Sequence, residues 1–113
     1  LELCGQELYS LGRNIKNKNM KKLYLISQNE NTDYDTYDSM IVCAENKESA
    51  IFMNPSKNYL WHDNAWWFQY SNGTEREEND DSWTLPKNLK VKEIGIADEK
   101  LEYGIILASF NAG

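Results

Sequence analysis

Lys22-Leu23-Tyr24-Leu25-Ile26-Ser27 and Ser39-Met40-Ile41-Val42-Cys43-Ala44 are two short apolar runs separated by the polar stretch Gln28 to Asp38. The first mixes aliphatic and aromatic residues that favour extended backbone, and the second is apolar throughout, so both read as strands. The connection is too long for a tight hairpin. It predicts an ordered, displayed loop in which Asn, Asp, Thr and Ser side chains satisfy the local backbone, with Tyr34 and Tyr37 offering flat faces tipped by a hydroxyl.

Downstream, Asn46 is placed to cap a helix over Lys47 to Asn54, which Pro55 stops. Between Ser56 and Leu85 lie Tyr59, Leu60, Trp61, Trp66, Trp67, Phe68, Tyr70 and Trp83, around the acidic run Glu75-Arg76-Glu77-Glu78-Asn79-Asp80-Asp81. Rings of this size bury a large area and suit a cluster covering one end of the sheet; left exposed, they would serve as anchors for a partner. Ala65 to Tyr70, Asn72-Gly73 and Thr74 onward fit a local hairpin. Leu89, Val91, Ile94 and Ile96 predict a strand whose alternation slips near Glu93, as a bulge produces. Ala97 to Gly104 then reads as a connection, and Ile105 to Phe110, apolar at successive positions, as a central strand covered on both faces. The fold class expected is α+β: a small, mostly antiparallel sheet of about four strands with one short helix on one face and a Trp-rich insert over residues 57–85.

Upstream, Leu1 to Asn19 differs in character and ends in the basic and polar stretch Arg13 to Asn19. Two expectations attach to it: an extension upstream of a natural start at Met20, or a short amphipathic helix carrying Leu3, Leu8, Leu11 and Ile15. Residues 20–113 are expected to form a single domain, since 113 residues with 41% hydrophobic content support one modest core.

A net charge of -6 argues against direct binding of nucleic-acid backbone, which needs a basic face to release phosphate counterions. Solubility, or a basic partner, is what such a charge serves. Cys4 and Cys43 supply no disulfide framework, and no run approaches a membrane span, so a cytoplasmic location is expected. Cys43, inside an apolar run, reads as a small buried hydrophobe.

Catalytic chemistry finds little support. His62, in Trp61-His62-Asp63, is the chain's one histidine, and no serine or cysteine sits in a nucleophile context with it. Asp33 and Asp35 are spaced like the first two ligands of a calcium loop, but its next ligand position falls on Tyr37, its glycine position on Asp38 and its closing glutamate position on Ala44. The glycines are scattered and form no phosphate cradle. No enzyme, cofactor or metal is expected.

The stretches Leu23 to Gln28, Tyr34-Asp35-Thr36-Tyr37-Asp38-Ser39, Asn54-Pro55-Ser56 and the tail Gly104 to Gly113, ending Ala108-Ser109-Phe110-Asn111-Ala112-Gly113, resemble a family of small phage and prophage proteins largely without assigned function. The resemblance spans Met20 to Ser56 and Leu89 to Gly113, and Tyr59 to Trp83 departs from it as an enlarged insert. It implies a non-enzymatic anti-defence protein in a bacterial host, an anti-CRISPR-like inhibitor that occupies the basic surface of a host protein or ribonucleoprotein complex. The residues expected to meet that partner are Asp33, Tyr34, Asp35, Tyr37, Asp38, Trp66, Trp67, Glu75, Glu77, Glu78, Asp80 and Asp81. Two alternatives stand beside it. One is a sponge for a nucleotide signal, with Tyr34 and Tyr37 stacking a base and Asn29, Asn31 and Asn111 reading its edge; the other is a phage accessory or assembly protein that self-associates.

Overall fold

The computed structural model describes residues 20–112, so both expectations for residues 1–19 lie outside the described residues. Two antiparallel sheets and one short helix make up the fold. Strands β1 (Lys22–Ser27), β2 (Thr36–Ala44), β6 (Lys90–Ile96) and β7 (Gly104–Asn111) form a four-stranded sheet in the order β6-β1-β2-β7. Strands β3 (Tyr59–His62), β4 (Ala65–Gln69) and β5 (Glu75–Glu77) form a three-stranded meander, and helix α1 (Lys47–Ile51) follows β2. The α+β class is as expected, and the Trp-rich insert supplies the second sheet.

The pairing of β1 with β2 places Tyr24 opposite Val42 and Ile26 opposite Met40, so these four side chains share one face of the large sheet. All four are buried, and Ala50 of α1, Trp66 of β4 and Trp83 pack onto them as one cluster. Each strand therefore contributes alternate residues to the core, as the two-residue pleat requires. Cys43 is buried and unpaired, as its apolar context implied.

The expected helix forms but is shorter. Asn46 Oδ1 accepts the Ser49 amide at 2.8 Å, the N-cap bond anticipated for it, yet the helix ends at Ile51 rather than Asn54. Asn54 precedes proline, which disfavours helical backbone, and its Oδ1 takes the Ser56 amide instead at 2.7 Å. The hairpin about Asn72-Gly73 is present, with Gly73 at φ 91°. A second hairpin, β3 to β4, turns on Asp63 and Asn64 at φ 51° and 60°. Positive φ at both central residues is the mirror-type turn whose twist suits adjacent strands, and Asp and Asn tolerate it better than other side chains. The slip foreseen near Glu93 is a bulge: Leu23 faces Gly95 and Tyr24 faces Glu93, leaving Ile94 unpaired.

Strand β7 departs from expectation. Among the described residues it lies at the edge of the sheet, paired only with β2, and Ile105, Ile106, Leu107 and Phe110 are all exposed rather than covered on both sides. An unbroken apolar run measures the capacity of a strand for burial, whereas its position in a sheet depends on which strands pair. Here β1 takes the place on the other side of β2, and a register shift at Ile106 breaks the alternation of β7 further.

Truncating Met40 to alanine removes a wholly buried side chain and is expected to lower unfolding stability by about 2–5 kcal/mol. Leu107→Ser, on an edge-strand position 64% exposed, should change it by no more than about 0.5 kcal/mol. Urea denaturation of both variants checks the contrast; comparable losses would mean that the face bearing Leu107 is covered.

Candidate functional site

The loop between β1 and β2 is tied down by a few polar side chains. Gln28, 7% exposed, uses its amide completely: Oε1 accepts the amides of Glu30 and Asn31 at 2.8 and 2.9 Å, and Nε2 donates to the carbonyls of Asn31 and Tyr37 at 2.7 and 2.8 Å. That is the full capacity of a carboxamide. Buried Thr36 donates its hydroxyl to the Asp33 carbonyl at 2.6 Å, and Asn111 of β7 donates Nδ2 to the same carbonyl at 3.1 Å. Asp35 adopts φ 64° and sends its amide to the Asn111 carbonyl at 2.6 Å. The loop is ordered, as expected, but the side chains of Asp33, Asp35 and Asp38 make no hydrogen bond among the described residues and stay exposed with Tyr34. Tyr37 is half-buried, its ring 4.8 Å from that of Phe110, and belongs to β2 rather than to the loop.

A second segment, Asn79 to Asn88, runs against this loop. The Tyr37 amide donates to the Ser82 carbonyl at 2.8 Å, and Asn31 Nδ2 donates to the Trp83 carbonyl. Asp80 shapes the segment, Oδ1 accepting from the Ser82 amide at 3.0 Å and the Ser82 hydroxyl at 2.6 Å. Where the two segments meet is a cavity of about 320 Å³ lined by Glu30, Asn31, Trp66, Asn79, Asp80, Asp81, Thr84, Leu85 and Asn88. Three acidic residues line it, with no lysine or arginine in its lining among the described residues. Asp80 is 8% exposed, and its Oδ2 is buried without a hydrogen-bond partner among the described residues.

The remaining acidic residues occupy a different surface. The register of β5 on β4 puts Glu75 and Glu77 on the side of the small sheet that carries Trp67, away from the core. His62 stacks on Trp67 with ring centres 4.7 Å apart, and Trp67 Nε1 donates to the His62 carbonyl at 2.9 Å. When the imidazole is protonated, His62 Nε2 donates to Glu75 Oε1 at 2.5 Å and its Nδ1 to Asp63 Oδ2 at 3.1 Å. The bond to Glu75, seconded by that to Asp63, raises the imidazole above its ordinary value of 6.5. Glu78 turns the other way, accepting from Arg76 and from the Tyr59 hydroxyl at 2.8 Å, and the guanidinium chiefly holds its carboxyl below the ordinary range. Burial first, and the bond to Glu78 second, push the Tyr59 phenol up.

The expected set of contact residues is therefore dispersed. Trp66 is corrected to a core residue: it is 3% exposed and donates its indole N–H to the Thr84 carbonyl at 3.0 Å, so it offers a partner no protruding ring. Asp80 is likewise no surface charge, because the turn it closes draws it inward. Glu75 and Glu78 are engaged by His62 and by Arg76. Asp33, Tyr34, Asp35, Asp38, Glu77 and Asp81 remain exposed, and Trp67 is partly so. Glu30 and Asn88 were missed as site residues, and Asn31 was expected only in the nucleotide alternative, since nothing in the local sequence says that residue 30 meets residue 81.

Among the described residues, no group of three or more His, Cys, Asp or Glu is arranged to hold a metal ion, and no helix is long and apolar enough to cross a membrane. Comparison of the chain with protein-family models, curated proteins and solved structures finds no match.

Because the folded His62 titrates above its unfolded value, its ion pairs contribute stability fully below pH about 6.5, and this is lost as pH rises through the folded pKa. A proton NMR titration should place the His62 midpoint above 6.5, and Glu75→Gln should move it down toward that value. An unchanged midpoint in the variant would remove Glu75 as the principal cause.

Proposed function

We propose that the protein is a non-enzymatic binding module that docks the acidic end of its fold on the basic surface of another protein. The observation that supports this reading most directly is the meeting of the Gln28 to Asp35 loop with the Asn79 to Asn88 segment. It assembles Glu30, Asp80 and Asp81 around one cavity with no cationic neighbour in its lining among the described residues, beside a loop whose Asp33, Asp35 and Asp38 have no partner among those residues. Carboxylates gathered without counter-ions give a local negative potential that steers and orients a basic partner. Tyr34, 72% exposed at the turn of the loop, is the aromatic best presented for contact.

The particular form of this reading is inhibition of a host nucleic-acid-handling complex. An acidic surface competes for the basic channel that nucleic acid would fill. The same charge disfavours a nucleotide ligand, whose phosphates would meet carboxylates at the cavity. A binding role also fits the engagement of His62 by Asp63 and Glu75, with no hydroxyl or thiol nucleophile bonded to it among the described residues.

Capture from a bacterial lysate at low and high salt, followed by mass spectrometry, tests the reading. A nucleic-acid-handling complex retained at low salt and lost at high salt is the expected result, because exposed ion pairs are screened beyond about 10 Å at 0.1 M salt. Asp33→Lys with Asp81→Lys, both at exposed positions, should abolish that retention and leave the melting temperature within a few degrees of the parent. Retention that is indifferent to salt and to both charge reversals would overturn the acidic docking reading.

A further inference from the structure

We propose that Asn72 is a site of self-modification, at which the Asn72-Gly73-Thr74 tip of the β4–β5 hairpin converts the Asn72 side-chain amide to aspartate and isoaspartate, with water as the co-reactant. The site lies away from the acidic cavity and does not depend on the docking reading above.

The tip brings together a nucleophile, an electrophile and donors for the charge that develops between them. The Gly73 amide donates to the Tyr70 carbonyl at 2.9 Å and the Tyr70 amide to the Thr74 carbonyl at 2.8 Å, so the tip is a three-residue loop closed by Gly73 at φ 91°. Asn72 Oδ1 accepts the Thr74 amide at 3.0 Å. A side chain bonded to the amide two residues on is folded back over the intervening peptide, which here is the link from Asn72 to Gly73. The Thr74 hydroxyl adds a second donor to the same oxygen at 2.7 Å. Every residue from Tyr70 to Glu77 is exposed, and a side chain built on Gly73 would meet nothing within 4 Å among the described residues. Water and the peptide nitrogen therefore both reach the Asn72 amide. Asn58 and Asn64 also adopt positive φ, but they precede Tyr59 and Ala65, whose side chains crowd the nitrogen that would attack.

The chemistry follows from these positions. Once the Gly73 N–H leaves the Tyr70 carbonyl and gives its proton to solvent, the nitrogen attacks Asn72 Cγ, and the new C–N bond closes a cyclic imide. Negative charge develops on Oδ1, where the two Thr74 donors already point, in the manner of an oxyanion hole. The bond from Cγ to Nδ2 breaks, and Nδ2 takes up a proton and departs as ammonia. Water then opens the imide: addition at Cγ gives aspartate, and addition at the backbone carbonyl carbon gives isoaspartate, whose main chain runs through Cβ and Cγ. The sum is amide plus water to carboxylate plus ammonium, with nothing oxidised or reduced. Either product sets a further negative charge ahead of Glu75 and Glu77. Isoaspartate also lengthens the main chain by a methylene within the turn that fixes the pairing of Gln69 with Glu75.

The test incubates the folded whole chain at neutral and mildly alkaline pH and follows the Asn58 to Arg76 tryptic peptide by tandem mass spectrometry, with chromatography separating the two acids. Conversion at Asn72 to both acids is expected, faster at alkaline pH because the Gly73 nitrogen must lose its proton, while Asn58 and Asn64 stay amides over the same time. Thr74→Val removes the hydroxyl donor, keeps the backbone amide, and should slow conversion severalfold in the folded chain. Thr74→Ser should restore the parent rate, and parent and both variants should convert alike when unfolded in urea. An Asn72 amide that persists in the folded chain while the urea-unfolded chain converts would overturn the site, as would conversion of Asn58 or Asn64 at a comparable rate. Equal folded-state rates for the parent and Thr74→Val would overturn the part given to Thr74.

Discussion

The packing of Trp66 and Trp83 against Tyr24, Ile26, Met40 and Val42 is the constraint on which the rest of the structure depends. The four-stranded sheet offers one continuous apolar face, and α1, five residues long, is too small to cover it alone. The two indoles close that face. In doing so they hold the β3-β4-β5 meander on one side and draw the chain after β5 across the end of the sheet. With Trp83 at 0% exposure, the residues beside it have little freedom, and Asp80 to Asn88 must pass the β1–β2 loop.

From that passage follows the polar architecture of the candidate site. Gln28 holds the loop by filling all four of its bonding positions, Asn31 reaches across to Trp83, and Ser82 takes the Tyr37 amide. These bonds tie the two segments together, while Asp80 Oδ2 and Trp83 Nε1 stay buried without a hydrogen-bond partner among the described residues. Negative charge at this end is thus organised by the core: moving the indoles would unmake the cavity, although no carboxylate of its rim belongs to the hydrophobic cluster.

The acidic and aromatic surface expected as one patch is divided by the pleat. Alternate residues of β5 point to opposite sides of the small sheet, so Glu75 and Glu77 stand with Trp67 and His62 while Arg76 points to the other side and stays exposed. Glu78, just beyond the strand, meets Arg76 and Tyr59, and Asp80 turns inward onto Ser82. A run of acidic residues in sequence thereby becomes three environments: one paired with an imidazole, one paired with a guanidinium and a phenol, and one bonded to Ser82 with no cation beside it among the described residues.

Local chemistry alone settled the elements. The apolar runs Leu23 to Ile26 and Met40 to Ala44, the Asn46 cap, the Asn72-Gly73 turn and the slip near Glu93 each depend on a residue's own backbone preference or on its close neighbours, and each is legible in the chain. The Asp63-Asn64 turn was equally local but lacks the glycine that usually marks it. Strand β2 begins at Thr36 rather than Ser39 because pairing with β7 and the bond from Tyr37 to Ser82 extend it, and neither is a neighbour in sequence. The edge position of β7, the burial of Trp66 and the cavity of Glu30, Asp80 and Asp81 were likewise decided by contacts between residues far apart in the chain. Composition states how much apolar area and charge must be placed; which rings close the core and which carboxylates are left without a partner depends on the three-dimensional meeting of segments, and only the tertiary structure determines that.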